Sequence, residues 1–321
     1  MSANAHQFAI EEPRALPSLQ PPQRKPKLKP AMLRFLRLLR LAVWRAFQHD
    51  AFSTAKASAY SSILTFFPAL LIVGSVLATS RKGAPFMREI TYALSRILPT
   101  GANTALAFLR GAAQRPFGML VTASLITLWT ASGVMVSWME GFRRCYELPK
   151  IWGLVKERMI AFLLVIFALL PMTFATLLVV FGTKIEASIL FYTAREFSFY
   201  ILLLWTVIRW VIAILTSIAV ISLIYHFAVP RTQPWHSVLP GASLATGLWF
   251  SSTLLFGWYL RHYADYSIIY GSLGAAIALL VWMYMVSLIV LVGAEFNAMI
   301  FPRAMLGKEL IALDSPKAMA T

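Results

Sequence analysis

The sequence predicts an all-α, polytopic integral membrane protein with six transmembrane helices, an N-terminal amphipathic helix and a short helical hairpin on the outer face. The 321 residues are 59% hydrophobic and only 13% charged, whereas soluble domains carry about 25% charged residues. The mean hydropathy is +0.70. Residues 238–260 and 266–294 contain no charged side chain, and each stretch exceeds the roughly 20 residues that cross a bilayer as a helix. A short polar turn joins them, so they predict a helical hairpin that crosses the membrane twice.

Six apolar segments divide the chain into membrane spans. We predict these spans at residues 57–78, 118–139, 159–181, 200–227, 238–260 and 272–300. They form a single membrane domain over residues 31–302. Pro68 lies within the first span, where it removes a backbone donor and predicts a kinked helix. Such a kink either forms a hinge or cavity wall, or serves helix packing alone.

The segments outside the spans have their own compositions. Residues 1–30 hold six prolines and end in RKPKLKP, which predicts a disordered basic tail. Residues 31–50 predict a basic amphipathic helix, which is expected to lie along the membrane surface against acidic headgroups. Its arginines share one helical face: Arg34, Arg37, Arg40 and Arg45. Residues 84–98 and 103–114 are each too short to span and predict the outer-face hairpin, and residues 303–321 form a short cytoplasmic tail.

The distribution of basic residues predicts the orientation. The net charge is +16, with nineteen Lys and Arg residues on the side that holds both termini and nine on the opposite side. Positively charged segments stay in the cytoplasm, so we expect both termini there. We expect the basic cytoplasmic face to contact anionic lipid headgroups rather than nucleic acid. The first apolar span begins more than fifty residues into the chain, so we expect no cleavable signal peptide.

Motifs for catalysis, metals and cofactors are absent from the sequence. No Gly-rich loop ends in Gly-Lys-Ser/Thr, no serine lies in a GxSxG turn, and the five histidines show no HExxH or paired spacing. Nothing therefore predicts a phosphate cradle, a nucleophile or a metal site. The single cysteine, Cys145, excludes an internal disulfide and a cysteine-rich metal site. We predict no catalytic residue, no metal, no cofactor and no enzymatic activity.

Arg209 is the only charged residue well inside a predicted span. Burying a guanidinium in the membrane costs about 2.5–3.5 kcal/mol on insertion scales, so it needs a partner or a water-filled cavity. One interpretation is a site for an anionic headgroup or a substrate path. The alternative is that Arg209 snorkels outward or pairs structurally with an acidic residue: Glu186, Glu196 or Asp265.

Glu295 and Asn297 lie near the inner end of the sixth span. A carboxylate at that position either couples protons or binds a cation, or it makes an interhelical hydrogen bond or ion pair. The basic residues predicted within reach are Arg143, Arg144 and Arg303. Together with Arg209 and Pro68, these two residues are our candidates for a substrate or ion site. Small residues, among them Gly241 and Ala245, predict close helix packing nearby.

Four stretches of the spans carry recognisable motifs: ASAYSSILTFFPALL, LWTASGVMVSWMEGFRRCYE, LPGASLATGLWFSSTLLFGWYL and YGSLGAAIALLVWMYMVSLIVLVGAEFNA. Together they resemble the YihY/BrkB (virulence factor BrkB) family of bacterial inner-membrane proteins over about residues 45–302. The resemblance implies six spans and a plasma (inner) membrane location. Members have been labelled ribonuclease BN, and others are associated with envelope functions and serum resistance. The histidine–aspartate metal motif of a zinc-dependent ribonuclease is absent here, so we do not carry that label over.

Three functional hypotheses follow. The first is a transporter or flippase-like protein that moves or handles a lipid or other envelope amphiphile, motivated by Pro68, Arg209 and the basic inner surface. The second is a non-catalytic membrane scaffold for envelope assembly. The third, a membrane enzyme, has no supporting motif.

Overall fold

The computed structural model describes residues 29–79, 117–192, 198–230, 234–262 and 273–301, and every regular element in these residues is an α-helix. There are seven such helices: α1 (Lys29–Gln48), α2 (Ala51–Thr79), α3 (Phe117–Cys145), α4 (Leu154–Tyr192), α5 (Ser198–Phe227), α6 (Trp235–His262) and α7 (Leu273–Ile300). Helices α2 to α7 are each long and apolar enough to cross a membrane. The predicted fold class, an all-α polytopic membrane protein with six spans, is confirmed.

The helices extend beyond several predicted span boundaries. α2 begins at Ala51 rather than residue 57, and α4 begins at Leu154 rather than residue 159. The hydropathy pattern marks only the apolar part of each helix, whereas the backbone continues into flanking polar turns that neighbouring helices stabilise. α2 continues through Pro68 and α4 through Pro171.

Several predicted features lie outside the described residues. These are the outer-face hairpin at residues 84–114, the C-terminal tail at residues 303–321, and residues 1–28 of the disordered tail predicted at 1–30. The last two residues of that predicted tail, Lys29 and Pro30, are instead the first residues of α1. By contact density the chain divides into two units, residues 1–37 and 38–321. The first holds the opening turns of α1, and the second holds the rest of α1 with all six long helices. The placement of α1 on a membrane surface stays a prediction.

The six long helices pack in a cyclic order. Each of α2 to α6 contacts the next helix along the chain, α7 returns to contact α2, and α7 also contacts α3. Contacts join the first half of α2 to the second half of α7, such as the hydrogen bond between the Ser58 and Ser287 hydroxyls at 2.9 Å. We call this end of the bundle, where α2 begins and α3 and α7 end, the proximal end.

The proximal part of α7 is the centre of the core. Every residue from Val290 to Ala298 is buried, so no face of this segment is open. Tyr225 of α5 donates a hydrogen bond from its hydroxyl to the carbonyl of Val290 at 2.6 Å. Its ring packs edge-on against Phe142 of α3 at 5.1 Å. The proximal end is therefore a filled core, with α7 surrounded by its neighbours.

Glycine permits a close helix crossing between α6 and α7. A Cβ atom on Gly241 would collide with the carbonyl oxygen of Gly293 and with the side chain of Asn297. A Cβ atom on Gly293 would lie 2.9 Å from the Cβ of Ala245, which is too close for two methyl groups. The predicted close approach at Gly241 and Ala245 is confirmed, since small residues allow the two backbones to come together.

Candidate functional site

Asn297 joins the end of α7 to the first turns of α6. Its side chain is fully buried. The Oδ1 atom accepts a hydrogen bond from the Gly241 N–H at 2.6 Å, and Nδ2 donates one to the Val238 carbonyl at 3.0 Å. Pro240 lies between these groups inside α6, where its ring disturbs the regular helical hydrogen bonding. Asn297 therefore satisfies backbone groups beside the proline, as membrane helices require.

Glu295 is a fully buried carboxylate held by two basic side chains. Its Oε1 lies 2.5 Å from Nδ1 of His49, and its Oε2 lies 3.7 Å from Nε of Arg45. The buried thiol of Cys145 lies beside the same carboxylate. The side chains of His49 and Arg45 are 22% and 33% exposed, so they link the buried carboxylate to the surface of the bundle. Such partners are needed because an unpaired carboxylate is costly to remove from water.

Two crossed ion pairs tie the ends of α1 and α3 together. Arg45, in the last turn of α1, pairs with Glu147 just beyond α3 at 3.6 Å. Arg144, in the last turn of α3, pairs with Asp50 just beyond α1 at 3.1 Å. Both acidic residues have a left-handed backbone, with φ of 58° at Asp50 and 51° at Glu147, a conformation that commonly ends helices. Each helix end therefore carries an acid that pairs with the basic last turn of the other helix.

Neither Arg143 nor Arg144 is an ion-pair partner of Glu295, although both were predicted within its reach. Both arginines contact Glu140, at 2.5 Å and 3.2 Å, because residues three and four apart on a helix are neighbours. The third predicted partner, Arg303, lies outside the described residues.

Arg45 also differs from its predicted place on a basic face against headgroups. The side chains of Ala42 and Ala46 are completely buried, so this part of α1 packs into the bundle core. That packing turns Arg45 toward Glu295 and Glu147. Alanine carries little hydropathy signal, so the sequence does not predict that Ala42 and Ala46 face the core.

Arg209 lies in α5, within the apolar segment Leu203–Phe227. Its side chain is half-buried, and the Nε and Nη1 atoms are shielded from the surface. The side chain has at least one interaction partner. The side chains of its predicted partners lie outside the described residues: Glu186, Glu196 and Asp265. The structure brings Glu295 and Asn297 together at the proximal end of α7, and no contact between Arg209 and either of them is found. A substrate or ion role for these residues stays a prediction.

A pocket of about 250 Å³ lies between α2, α6 and α7, farther from the proximal end than the Glu295 cluster. Its wall is almost entirely apolar, with side chains from all three helices: Phe66, Leu70, Phe256, Leu260, Trp282 and Met283. The hydroxyl of Thr253, which also lines it, already donates to the Trp249 carbonyl. Pro68 is half-buried in the α2 segment between Phe66 and Leu70. This pocket suits an apolar chain rather than a polar solute.

Arg158 is a charged residue that the predicted spans missed. The third span was predicted to begin at residue 159, but α4 begins at Leu154 and Arg158 lies one turn inside it. Its guanidinium carbon lies 4.2 Å from the ring centroid of Trp129 in α3. The hydropathy signal could not place it, because the apolar residues before Arg158 are few and lie beside a polar loop.

Among the described residues, no group of three or more His, Cys, Asp or Glu side chains is arranged to hold a metal ion.

The family assignment rests on a match along most of the chain. A family model described as "Virulence factor BrkB" matches residues 42–310. The chain belongs to the BrkB family. The BrkB match includes the last turn of α1 and all six long helices, so Arg45, His49, Glu295 and Asn297 lie within the shared region.

The curated relatives of this BrkB-family chain are named as membrane proteins or as a ribonuclease-like protein. The ribonuclease-like protein YfkH of Bacillus subtilis is 27% identical over 266 residues, which cover 81% of this chain and 94% of that protein. A UPF0761 membrane protein of Stenotrophomonas maltophilia is 24% identical over 267 residues, covering 80% of this chain and 59% of that protein. A UPF0761 membrane protein of Tolumonas auensis is 39% identical over 84 residues, covering 26% and 28%. No solved structure matches the BrkB-family chain.

Proposed function

We propose that this BrkB-family membrane protein transports or otherwise handles a lipid or another envelope amphiphile in the bacterial plasma (inner) membrane. Both termini lie on the cytoplasmic side in this proposal, as the distribution of basic residues predicts. The observation that carries the proposal is the apolar pocket of about 250 Å³ between α2, α6 and α7.

The pocket supports an amphiphile for two reasons. It lies in the part of the three helices that is apolar enough to cross the membrane, where acyl chains surround the protein. Its volume is a little below the roughly 300–1,000 Å³ of typical small-molecule pockets, so it suits one acyl segment rather than a whole lipid. The filled proximal core beside it supplies a rigid base for such a pocket.

Lipid movement between leaflets tests the proposal. The purified full-length protein is reconstituted into vesicles that contain a fluorescent phospholipid, and a membrane-impermeant quencher reports the fraction that reaches the outer leaflet. We expect the protein to accelerate this exchange over protein-free vesicles. Ala278→Phe fills the pocket from its wall, and we expect it to reduce the rate to near that of protein-free vesicles.

The matched control is Leu254→Phe on α6. Leu254 is 72% exposed and does not line the pocket, so the added volume should leave the rate unchanged. Size-exclusion profiles and thermal unfolding establish that each variant is folded. An unchanged lipid-exchange rate in a folded Ala278→Phe variant would contradict the role of the pocket, and wild-type protein that never exceeds the protein-free rate would contradict the function.

Two other experimental outcomes would favour the scaffold hypothesis or the enzyme hypothesis. Exchange at the protein-free rate, with a stable partner that co-purifies from the membrane, would favour a scaffold. The name of the YfkH relative motivates a second control, in which the purified protein is incubated with RNA and divalent metal ions. We expect no cleavage, and metal-dependent cleavage that purifies with the protein would support an enzyme instead.

A further inference from the structure

A groove between α3 and α4 contains the guanidinium of Arg158. The groove has a volume of about 450 Å³ and an apolar wall: Trp129, Val136, Leu154, Val155, Met159 and Phe162. Arg158 lies over the Trp129 ring at 4.2 Å and donates from Nη2 to the Trp129 carbonyl at 3.3 Å. Among the described residues, no Asp or Glu lies within ion-pair distance of it.

The remaining charges near the groove do not neutralise Arg158. Glu157 also lines it, but that carboxylate pairs with Lys150 at 3.6 Å. The Arg158 Nε is buried and has no hydrogen-bond partner within the described part of the chain. A charge held in this way one turn inside a membrane helix calls for an anion, because the described part of the protein and the hydrocarbon supply no negative charge to it.

The groove is open toward the surroundings of the bundle. Leu154 and Val155 are 77% and 79% exposed, and Trp129 is 59% exposed. Apolar side chains with these exposures, in a helix that spans a membrane, contact lipid chains. The groove therefore combines an apolar surface for an acyl chain with one positive charge, and a tryptophan beside a basic residue is typical of the region near lipid headgroups.

We propose that the α3/α4 groove binds an anionic phospholipid, with the phosphate against the Arg158 guanidinium and an acyl chain along the apolar wall. A guanidinium binds phosphate oxygens through its planar fork of donors, and basic pockets between membrane helices bind such headgroups. The site is separate from the pocket between α2, α6 and α7, and a lipid bound here does not require transport. Failure of lipid exchange and failure of lipid binding are therefore separate results.

Lipid-dependent thermal stability tests the site. The full-length protein in detergent is titrated with phosphatidylglycerol, phosphatidylcholine or inorganic phosphate, and the Tm and the bound lipid seen by native mass spectrometry are recorded. We expect phosphatidylglycerol to raise the Tm and to remain bound, phosphatidylcholine to have a smaller effect and inorganic phosphate to have none. Arg158→Gln should abolish the Tm increase and the bound phosphatidylglycerol.

Lys156→Gln is the matched control, because it removes the same charge from an exposed position two residues away on α4. We expect it to keep the wild-type response. An equal loss in both variants would mean general attraction between a basic surface and anionic lipid, and would overturn the proposal. So would an equal response to inorganic phosphate, which would indicate a site for a soluble anion. If Arg158→Gln does not fold, the additional variant Val155→Trp, which fills the groove beside Arg158, should reduce binding, and unchanged binding there would also overturn the proposal.

Discussion

The Nδ1 atom of His49 lies 2.5 Å from Oε1 of Glu295, although 246 positions separate them in the chain. This contact joins the junction between α1 and α2 to the proximal end of the last helix. The Nε atom of Arg45 lies 3.7 Å from Oε2, the other oxygen of the same carboxylate. The last helix is therefore held at its proximal end by residues that precede the first span.

Removing a basic partner of Glu295 should destabilise the bundle. In Arg45→Ala or His49→Ala, the fully buried carboxylate keeps only one of its two basic partners. Loss of one member of a buried ion pair costs about 3–5 kcal/mol, and we expect the lower part of that range because both partners are partly exposed. The measurement is thermal unfolding of the purified protein in detergent.

The control for these two variants is Glu147→Gln. Its ion pair with Arg45 is 3.6 Å long with a 42% exposed carboxylate, and exposed pairs contribute about 0–1 kcal/mol. We expect little change in its Tm. If Arg45→Ala and Glu147→Gln have equal effects, the contact with Glu295 is not what makes Arg45 important.

Replacing Asn297 should also destabilise the protein. Asn297→Leu leaves the Gly241 N–H and the Val238 carbonyl without the partners they have now. Each buried group left unsatisfied costs about 1–3 kcal/mol. Thr122→Val is the comparison, because that exposed hydroxyl only donates to the Gly118 carbonyl of its own helix. Equal thermal stability of the two variants would contradict this assignment.

Adding one methyl group at the α6/α7 crossing should have a position-dependent effect. Gly241→Ala places a Cβ against the Gly293 carbonyl and Asn297, and overpacking typically costs about 1–3 kcal/mol. Gly247→Ala, farther along α6, meets nothing within 4 Å, so it should leave stability unchanged or raise it by up to about 1 kcal/mol. Thermal unfolding of both variants side by side gives the test, and a Gly241→Ala variant as stable as Gly247→Ala would show that the two helices can move apart easily.

Glycine at position 147 should stabilise the end of α3. Glu147 has a φ of 51°, and a left-handed backbone costs roughly 1–2 kcal/mol for residues other than glycine. The Glu147 N–H bonds to the Arg144 carbonyl and the Leu148 N–H to the Arg143 carbonyl, which is the hydrogen-bond pattern that favours glycine here. We expect Glu147→Gly to be more stable than Glu147→Ala in thermal unfolding. The reverse order would contradict the backbone strain that the left-handed conformation assigns to this position.

Much of the membrane fold was predictable because its signal is local. The uncharged stretch that ends at Glu295 is long enough to require a membrane helix, whatever surrounds it. The pairing of Glu140 with Arg143 was equally predictable, because residues three apart on a helix always lie close together.

The partners of Glu295 were not predictable by the same reasoning. The sequence predicts Arg143, Arg144 and Arg303 beside the end of α7, whereas the basic face of residues 31–50 predicts that Arg45 contacts lipid headgroups. Its actual direction depends on Ala42 and Ala46, which pack into the core although alanine carries little hydropathy signal. Arg158 was placed outside its span because the helix begins a turn before the apolar segment.

The sequence by itself determined that this chain crosses a membrane six times and which residues carry charge within or beside the spans. Hydrocarbon requires long apolar helices, and such a helix can be recognised from consecutive residues alone. Only the tertiary structure decided that Glu295 meets His49 and Arg45, that Asn297 satisfies the backbone of α6, and that Arg158 lies on Trp129. These contacts join distant positions through the packing of whole helices, and the period of a single helix carries no information about which neighbour it faces.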